Sequence, residues 1–257
     1  MMRRGLMVGA LAVVSVLACG EVPTLDQGIA YISPVILPAP AVAIGDTLRD
    51  SLGRATPLRV EAFGRNNEPL PDPGATFLPV ILPSPVAIDA ATGIVTAFNT
   101  TTAVQTVQIV GRVGAKLQTT QASLLVVPQP DSLDRTSPEV KDSRVPALDT
   151  LRVTVTGING NKSRVAVPGI IVRYRITKVY GSGAESASAF LTLDGGVISR
   201  PDSLMAVDTT DASGLASRTL VVAGTGVDSV VVFAHARSLR GVPLKGDSVH
   251  FVLRVTP

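Results

Sequence analysis

The chain has 257 residues, of which 46% are hydrophobic, with 23 Lys and Arg against 20 Asp and Glu. This hydrophobic content supports folded cores and excludes a wholly disordered chain. The near balance of charge argues against a nucleic-acid or polybasic membrane role. The single cysteine excludes internal disulfides, thiol redox pairs and zinc sites built from several thiolates.

The N-terminal segment is basic and then apolar. Arg3 and Arg4 precede an apolar run over residues 6–17, and the small residue Ala18 precedes Cys19, the only cysteine. The run has the length of a signal-peptide core and is too short to span a bilayer comfortably. This segment resembles the lipobox of bacterial lipoproteins, which implies cleavage before Cys19 and acylation of that cysteine. An ordinary signal peptide with an incidental cysteine is the alternative.

Cleavage before Cys19 would leave 239 residues, with 21 basic and 20 acidic side chains. No later apolar segment approaches the ~20 residues that a membrane-spanning helix needs. We therefore expect covalent lipid on Cys19 to be the membrane anchor, and we expect no other cofactor. Gly20, rather than Asp, follows the cysteine. By resemblance to the sorting pattern of enteric bacteria, this favours the outer membrane of the cell envelope, on a face that the sequence does not identify.

Residues 19–33 are short and mixed in character and are predicted to be a tether. Beyond them, short Val, Ile, Leu and Thr runs alternate with Gly, Pro, Asn and Asp clusters, which is typical of an all-β sandwich or barrel. The clearest two-residue alternation lies at residues 151–156, 170–176 and 248–256, with weaker runs at 58–62, 107–109 and 124–126. Such alternation predicts strands with one face on a core and the other in water.

Two turn sequences occupy comparable places in the two halves of the chain. Asp89 to Gly93 connects two apolar runs, and Asp211 to Gly214 does the same. In each, the aspartate is predicted to bond back to the local backbone while the glycine takes a positive φ.

Two proline-rich segments, residues 34–40 and 79–85, echo each other and are predicted at sheet edges or strand-to-loop transitions. Pro128-Gln129-Pro130, followed by a polar stretch to residue 143, indicates a domain boundary. The predicted organisation is a signal peptide at 1–18, the tether at 19–33, a first domain at 34–128 and a second at 129–257 that begins with a polar lead-in.

Residues 43–48, 58–62 and 88–97 resemble a bacterial immunoglobulin-like domain. Residues 151–155, 167–172, 210–216 and 229–236 resemble its invasin/intimin-type relative. The resemblance implies two tandem immunoglobulin-like β-sandwiches. The Cys…Trp…Cys pattern of antibody domains is absent, because the chain has no tryptophan.

The sequence contains few residues that indicate a catalytic or metal-binding site. The chain has no lipase elbow, P-loop or zinc-protease motif, and its only histidines are His235 and His250. A hairpin centred near Val242–Pro243 would place the two imidazoles opposite each other, close enough to share a metal. Two ligands make a poor metal site, so solvent-facing histidines are the simpler interpretation.

Two further groups of charged residues have alternative interpretations. Asp208 and Asp211 suggest calcium, although a turn-capping role explains Asp211 fully. Arg173 and Arg175 project from the polar face of one strand, where they would either meet an acidic partner or only keep that strand soluble.

These observations predict a non-enzymatic, lipid-anchored envelope protein whose immunoglobulin-like domains act in display, adhesion or protein binding. Its partners would be the membrane, through the lipid, and an unidentified protein or surface ligand, but no nucleic acid. The alternative is a periplasmic accessory or assembly module for a larger envelope enzyme or transport complex.

Overall fold

The structure is a computed structural model. It describes residues 28–71, 74–98, 104–114, 118–144, 146–182, 188–192, 204–223, 225–246 and 248–256. The predicted signal peptide and most of the predicted tether therefore lie outside the described residues. In the described part, no helix is long and apolar enough to cross a membrane.

The described residues form nineteen β-strands and no α-helix. The strands are β1 (Tyr31–Ile32), β2 (Ala41–Ala43), β3 (Ala62–Phe63), β4 (Pro69–Leu70), β5 (Thr76–Pro79), β6 (Val86–Ile88), β7 (Val95–Ala97), β8 (Gln105–Val113), β9 (Gln118–Val127), β10 (Pro130–Arg135), β11 (Val140–Arg144), β12 (Ala147–Ile158), β13 (Arg164–Ala166), β14 (Ile171–Tyr180), β15 (Ala189–Thr192), β16 (Met205–Thr209), β17 (Leu215–Val222), β18 (Ser229–Ala236) and β19 (Val249–Thr256). The prediction of an all-β protein is confirmed.

The C-terminal half, β10 to β19, contains two five-stranded sheets. One has the order β10-β12-β17-β15, with β13 paired to β12, and the other has the order β11-β19-β18-β14-β16. The first strands of this half divide between the two sheets: β10 pairs antiparallel with β12, whereas β11 pairs parallel with β19. This strand order is that of an immunoglobulin-like β-sandwich.

Alternating burial in the long strands follows the sequence pattern. In β19, Val249, Phe251, Leu253 and Val255 are buried, while the intervening residues face solvent or are half-buried. The same alternation holds in β12 and in the first half of β14. The predicted core faces of these three strands are confirmed.

The N-terminal half, β1 to β9, has one regular sheet of order β2-β9-β8-β5. Its other strands are two to three residues long and form the groups β1-β3-β4 and β6-β7. Single bridges, such as Ile36 with Arg59 and Thr47 with Thr96, join the remaining segments. Leu58, Val60 and Ala62 are buried as expected, but only Ala62 belongs to a strand.

Buried hydrophobic residues form two clusters. One consists of residues from Val35 to Val126, and the other consists of residues from Val127 to Val255 together with Ala41. The large, fully buried side chains of the second cluster include Tyr174, whose hydroxyl donates to the Ala216 carbonyl at 2.9 Å.

Two predicted segments differ from expectation in detail. Tyr31–Ile32, expected in the tether, forms β1 and pairs with β3. The polar stretch after Pro130, expected as a lead-in, forms β10 and β11. Strand β10 pairs with β12 and buries Leu133, whereas β11 pairs with β19 although its residues are exposed or half-buried. The proline-rich segments lie at strand-to-loop transitions, as predicted: residues 34–40 lead into β2, and residues 79–85 run from the last residue of edge strand β5 to β6.

Candidate functional site

The predicted lipidation site, Cys19, lies outside the described residues. Arg3, Arg4, Ala18 and Gly20 lie outside them as well, whereas the candidate histidines, arginines and turn residues are all described.

In both predicted turns an aspartate carboxylate accepts backbone N–H groups of the residues that follow it. Asp89 Oδ1 accepts the backbone N–H groups of Ala91 and Thr92 at 2.9 Å each, and Gly93 follows with φ +71°. These backbone donors, Thr92 first, hold the pKa of Asp89 below its usual value.

In the second turn, Asp211 Oδ1 accepts from Ser213 N–H at 2.8 Å and from Leu215 N–H at 3.0 Å. Gly214 follows with φ +72°. The Ser213 hydroxyl, which donates to the same oxygen at 2.7 Å, is the largest cause of the lowered pKa of Asp211. Both aspartates therefore serve as anionic turn caps.

The expectation that His235 and His250 face each other is wrong. His250 pairs with Phe233 across β18 and β19, with ring centroids 5.9 Å apart, and His235 pairs with Arg173 on β14. The ladder of β18 and β19 is centred one residue earlier than predicted, because the partner of His250 is Phe233. A shift of one residue in the centre of a hairpin moves each cross-strand partner by two.

His250 on β19 instead contacts Glu139, which precedes β11, and Glu139 in turn contacts Arg135 at the end of β10. His250 Nε2 lies 2.7 Å from Glu139 Oε1, and Arg135 Nη2 donates to Glu139 Oε2 at 2.7 Å. Glu139 is 111 residues before His250 in the sequence, so no local pattern indicated this contact. The described residues contain no group of three His, Cys, Asp or Glu side chains that could hold a metal.

Asp208 and Arg218 form a buried clamp between the two sheets that the sequence did not reveal. Arg218 Nη1 lies 3.1 Å from Asp208 Oδ1, and the guanidinium also donates to the Val207 carbonyl. Asp208 accepts the backbone N–H groups of Thr209 at 2.8 Å and Ser217 at 2.7 Å. These contacts occupy the Asp208 carboxylate, which the sequence had suggested for calcium, and they cover the Val207 carbonyl and the Thr209 N–H of edge strand β16.

The two halves meet at Asp46, whose side chain is 8% exposed. Its Oδ2 accepts from Arg240 Nε at 2.6 Å, and its Oδ1 accepts from Thr47 N–H at 2.8 Å and from Arg49 Nη2 at 3.2 Å. Burial alone would raise the pKa of Asp46, but the hydrogen bonds from Arg240, Thr47 and Arg49 outweigh it and lower the pKa.

Backbone atoms also approach closely at this junction. A Cβ added to Gly53 would lie 2.2 Å from the Arg240 carbonyl oxygen, and one added to Gly169 would lie 2.8 Å from the Ala41 Cβ. Glycine is therefore needed at both positions for the two halves to approach this closely.

The most distinctive surface is the outward side of the β11-β19-β18-β14-β16 sheet. We call its central part the basic sheet face; it consists of Arg173, Arg175, Met205, Val207, Phe233 and Arg237. Met205 is 64% exposed and Val207 is 51% exposed, whereas Phe233 is half-buried. At one end lies a crevice of about 40 Å³ between the halves, whose charged lining residues are Arg49, Asp50, Arg173 and Arg237.

A larger cavity, of about 420 Å³, lies in the N-terminal half between the segment 57–62 and the side chains of Leu70 and Phe77. Its ionisable lining residues are Arg59 and Glu61.

No family model matches the chain, and no curated protein matches it. Among solved structures, it is similar to the adhesin InvE of Yersinia pseudotuberculosis, with 16% identity over 87% of this chain and 57% of InvE and a TM-score of 0.34. Domains 4 and 5 of the S-layer protein SbsC match with 12% identity over 88% of this chain and 97% of that one, at a TM-score of 0.28. Human protocadherin-24 EC1-2 matches with 14% identity, 88% and 98% coverage and a TM-score of 0.27. The immunoglobulin-like assignment rests on the strand order and burial pattern of this chain.

Proposed function

We propose that this chain is a non-catalytic, lipid-anchored protein of the bacterial cell envelope whose immunoglobulin-like fold acts as a scaffold for display, adhesion or protein binding. The anchor is the acylated Cys19. The partner is a protein or surface ligand, and no cofactor other than the covalent lipid takes part.

The observation that carries the proposal is the basic sheet face. Arg173, Arg175 and Arg237 stand among exposed apolar side chains, and none of them forms an ion pair with any residue that the structure describes. Arginine, methionine and aromatic residues are enriched at the centres of protein interfaces.

The carboxylates and imidazoles in the described ranges also support a binding role rather than catalysis. Asp89 and Asp211 cap turns, Asp46 and Asp208 pair with arginines, and His250 contacts a glutamate. Each of these groups is therefore engaged in holding the fold. We propose that the protein has no enzymatic activity.

Protease shaving of intact cells tests the location, with wild type compared with Cys19→Ser. Loss of the wild-type protein from whole cells supports surface display, and mass spectrometry of the N-terminal peptide should show an acylated Cys19. Protection until the envelope is opened would contradict surface display and favour the periplasmic accessory role. A Cys19→Ser form that stays on membranes without acylation would overturn the anchor.

A further inference from the structure

We infer that the basic sheet face binds an extended acidic segment of a partner protein. This inference rests on the proposed binding function and specifies its chemistry. The segment would present carboxylates to Arg173, Arg175 and Arg237 while its backbone and apolar side chains cover Met205, Val207 and Phe233.

The strand register brings these residues together. Arg173 on β14 has Val207 on β16 at one side and His235 on β18 at the other. In the next row, Arg175 lies between Met205 and Phe233. Each arginine therefore stands beside an exposed apolar side chain on the same face of one sheet.

Arg237 extends this pattern beyond the end of β18. It follows Phe233 and His235 in the same alternation and lines the crevice at the junction together with Arg173. The Arg237 guanidinium has one long hydrogen bond, 3.4 Å to the Gly241 carbonyl. The three arginines thus form a continuous cationic strip from the junction to the middle of the sheet.

Some described cations of the C-terminal half form ion pairs and others, such as Arg152, Lys178 and Arg254, do not, so the strip is distinguished by three arginines that lie together beside exposed apolar side chains. Arg135, Arg164, Arg218, Lys141 and Lys245 each pair with a carboxylate in the structure. Within the strip, the carboxylate nearest in sequence and register is Asp208, which points to the opposite sheet and pairs with Arg218. Asp50 lines the crevice beside Arg173 and Arg237, but its Oδ1 accepts the backbone N–H groups of Leu52 and Arg54. No arginine of the strip forms an ion pair with a described carboxylate, although guanidinium forks bind carboxylates with paired hydrogen bonds.

The spacing suits an extended acidic ligand. Arg173 and Arg175 are two residues apart on one strand, which corresponds to ~7 Å along it. Carboxylates at alternate positions of an extended peptide have the same separation. The ligand would not add as a new strand to β16, because Arg218 covers the Val207 carbonyl and Asp208 covers the Thr209 N–H.

A peptide fits the face better than nucleic acid does. The chain without its predicted signal carries 21 basic and 20 acidic side chains, so it has no extended basic field for a phosphate backbone. Phe233 is the single aromatic residue of the basic sheet face and is half-buried, whereas single-stranded nucleic acid favours exposed aromatic platforms.

The test uses the full-length Cys19→Ser chain, purified in neutral detergent, and a fluorescein-labelled peptide of alternating Glu and Ser. Anisotropy should detect binding that weakens at least tenfold in Arg173→Ser/Arg175→Ser and that falls as salt rises. The matched control, Arg59→Ser/Arg112→Ser, removes two exposed arginines of the N-terminal half and should bind as tightly as its parent. Circular dichroism of each variant checks that the fold is intact.

Three outcomes would overturn the inference: no binding of the Glu/Ser peptide above that of a Gln/Ser peptide, equal losses in both double variants, or tighter binding of a single-stranded oligonucleotide. Because this assay does not depend on acylation, failure of the anchor proposal leaves its result unaffected. Failure of the peptide assay, conversely, leaves the envelope location open to the shaving experiment.

Discussion

In both halves of the molecule, an early strand pairs in parallel with the last strand. In the N-terminal half, β2 runs parallel to β9 over three residue pairs, and in the C-terminal half, β11 runs parallel to β19 over five. In both halves, the last two strands of the regular sheet form an antiparallel pair, β8 with β9 and β18 with β19. The shared arrangement supports one fold type for both halves.

The halves differ in how regular their second sheet is. In the C-terminal half, β12 and β17 have twelve and eight residues, whereas the facing strands of the N-terminal half have two or three. Prolines at residues 34–40 and 79–85 explain part of the difference, because proline cannot donate to a ladder. Of the described residues, 15 form the buried cluster of the N-terminal half, whereas the other cluster has 27, of which all but Ala41 and Val127 belong to the C-terminal half. We therefore expect the C-terminal half to be the more stable of the two.

The largest expected effect comes from breaking the buried clamp of the C-terminal half. Asp208→Ala leaves the Arg218 guanidinium, 8% exposed, without its carboxylate, and should lower the free energy of unfolding by about 3–5 kcal/mol. Asp134→Ala removes the exposed ion pair with Arg164 and should change the free energy of unfolding by less than about 1 kcal/mol. Urea denaturation measures both, and equal effects would show that the clamp contributes no more than a surface pair.

The two turn glycines give a matched comparison of intermediate size. A Cβ on Gly214 would lie 2.5 Å from the Val155 carbonyl oxygen, whereas one on Gly93 would lie 3.2 Å from that of Leu58. Both residues have positive φ, so Gly93→Ala should destabilise its half by about 1–2 kcal/mol, and Gly214→Ala by more. Thermal melts that rank the two variants in the opposite order would contradict this account of the turns.

The smallest expected effect concerns Asp46 at the junction. Its folded-state pKa is lowered, so the stability it contributes is present above the unfolded value near 3.8 and is lost as pH falls below that value. Asp46→Asn should lower stability by about 1 kcal/mol at pH 7 and have progressively less effect toward pH 2. Denaturation curves of both proteins across this range measure the difference, and a constant difference would mean that the Asp46 carboxylate does not titrate with folding.

Periodicity was enough to predict the strands that have a continuous core face. The alternating runs at 151–156, 170–176 and 248–256 became β12, β14 and β19, because each buried side chain is two residues from the next. The short strands of the N-terminal half were harder to predict. Residues such as Leu58 and Val60 are buried without a regular ladder, so their place depends on long-range packing.

The side-chain hydrogen bonds between distant residues could not be predicted from the sequence, for a different reason. Asp46 and Arg240 are 194 residues apart, and nothing local to either residue indicates the other. The basic sheet face was only partly predictable. Alternation placed Arg173 and Arg175 outward, but their neighbours Met205, Val207 and Phe233 depend on the register of three strands.

The parallel pairing of first and last strands has a mechanical consequence. Tension that pulls the start of β11 away from the end of β19 acts along both strands and across the hydrogen bonds between them. All five residue pairs then bear the load together, whereas a strand pulled from its end by peeling would lose them one at a time. The three pairs of β2 with β9 would bear the same force with less resistance. A pull between the N-terminus and the C-terminus should therefore extend the N-terminal half first, while the half that carries the basic sheet face stays folded.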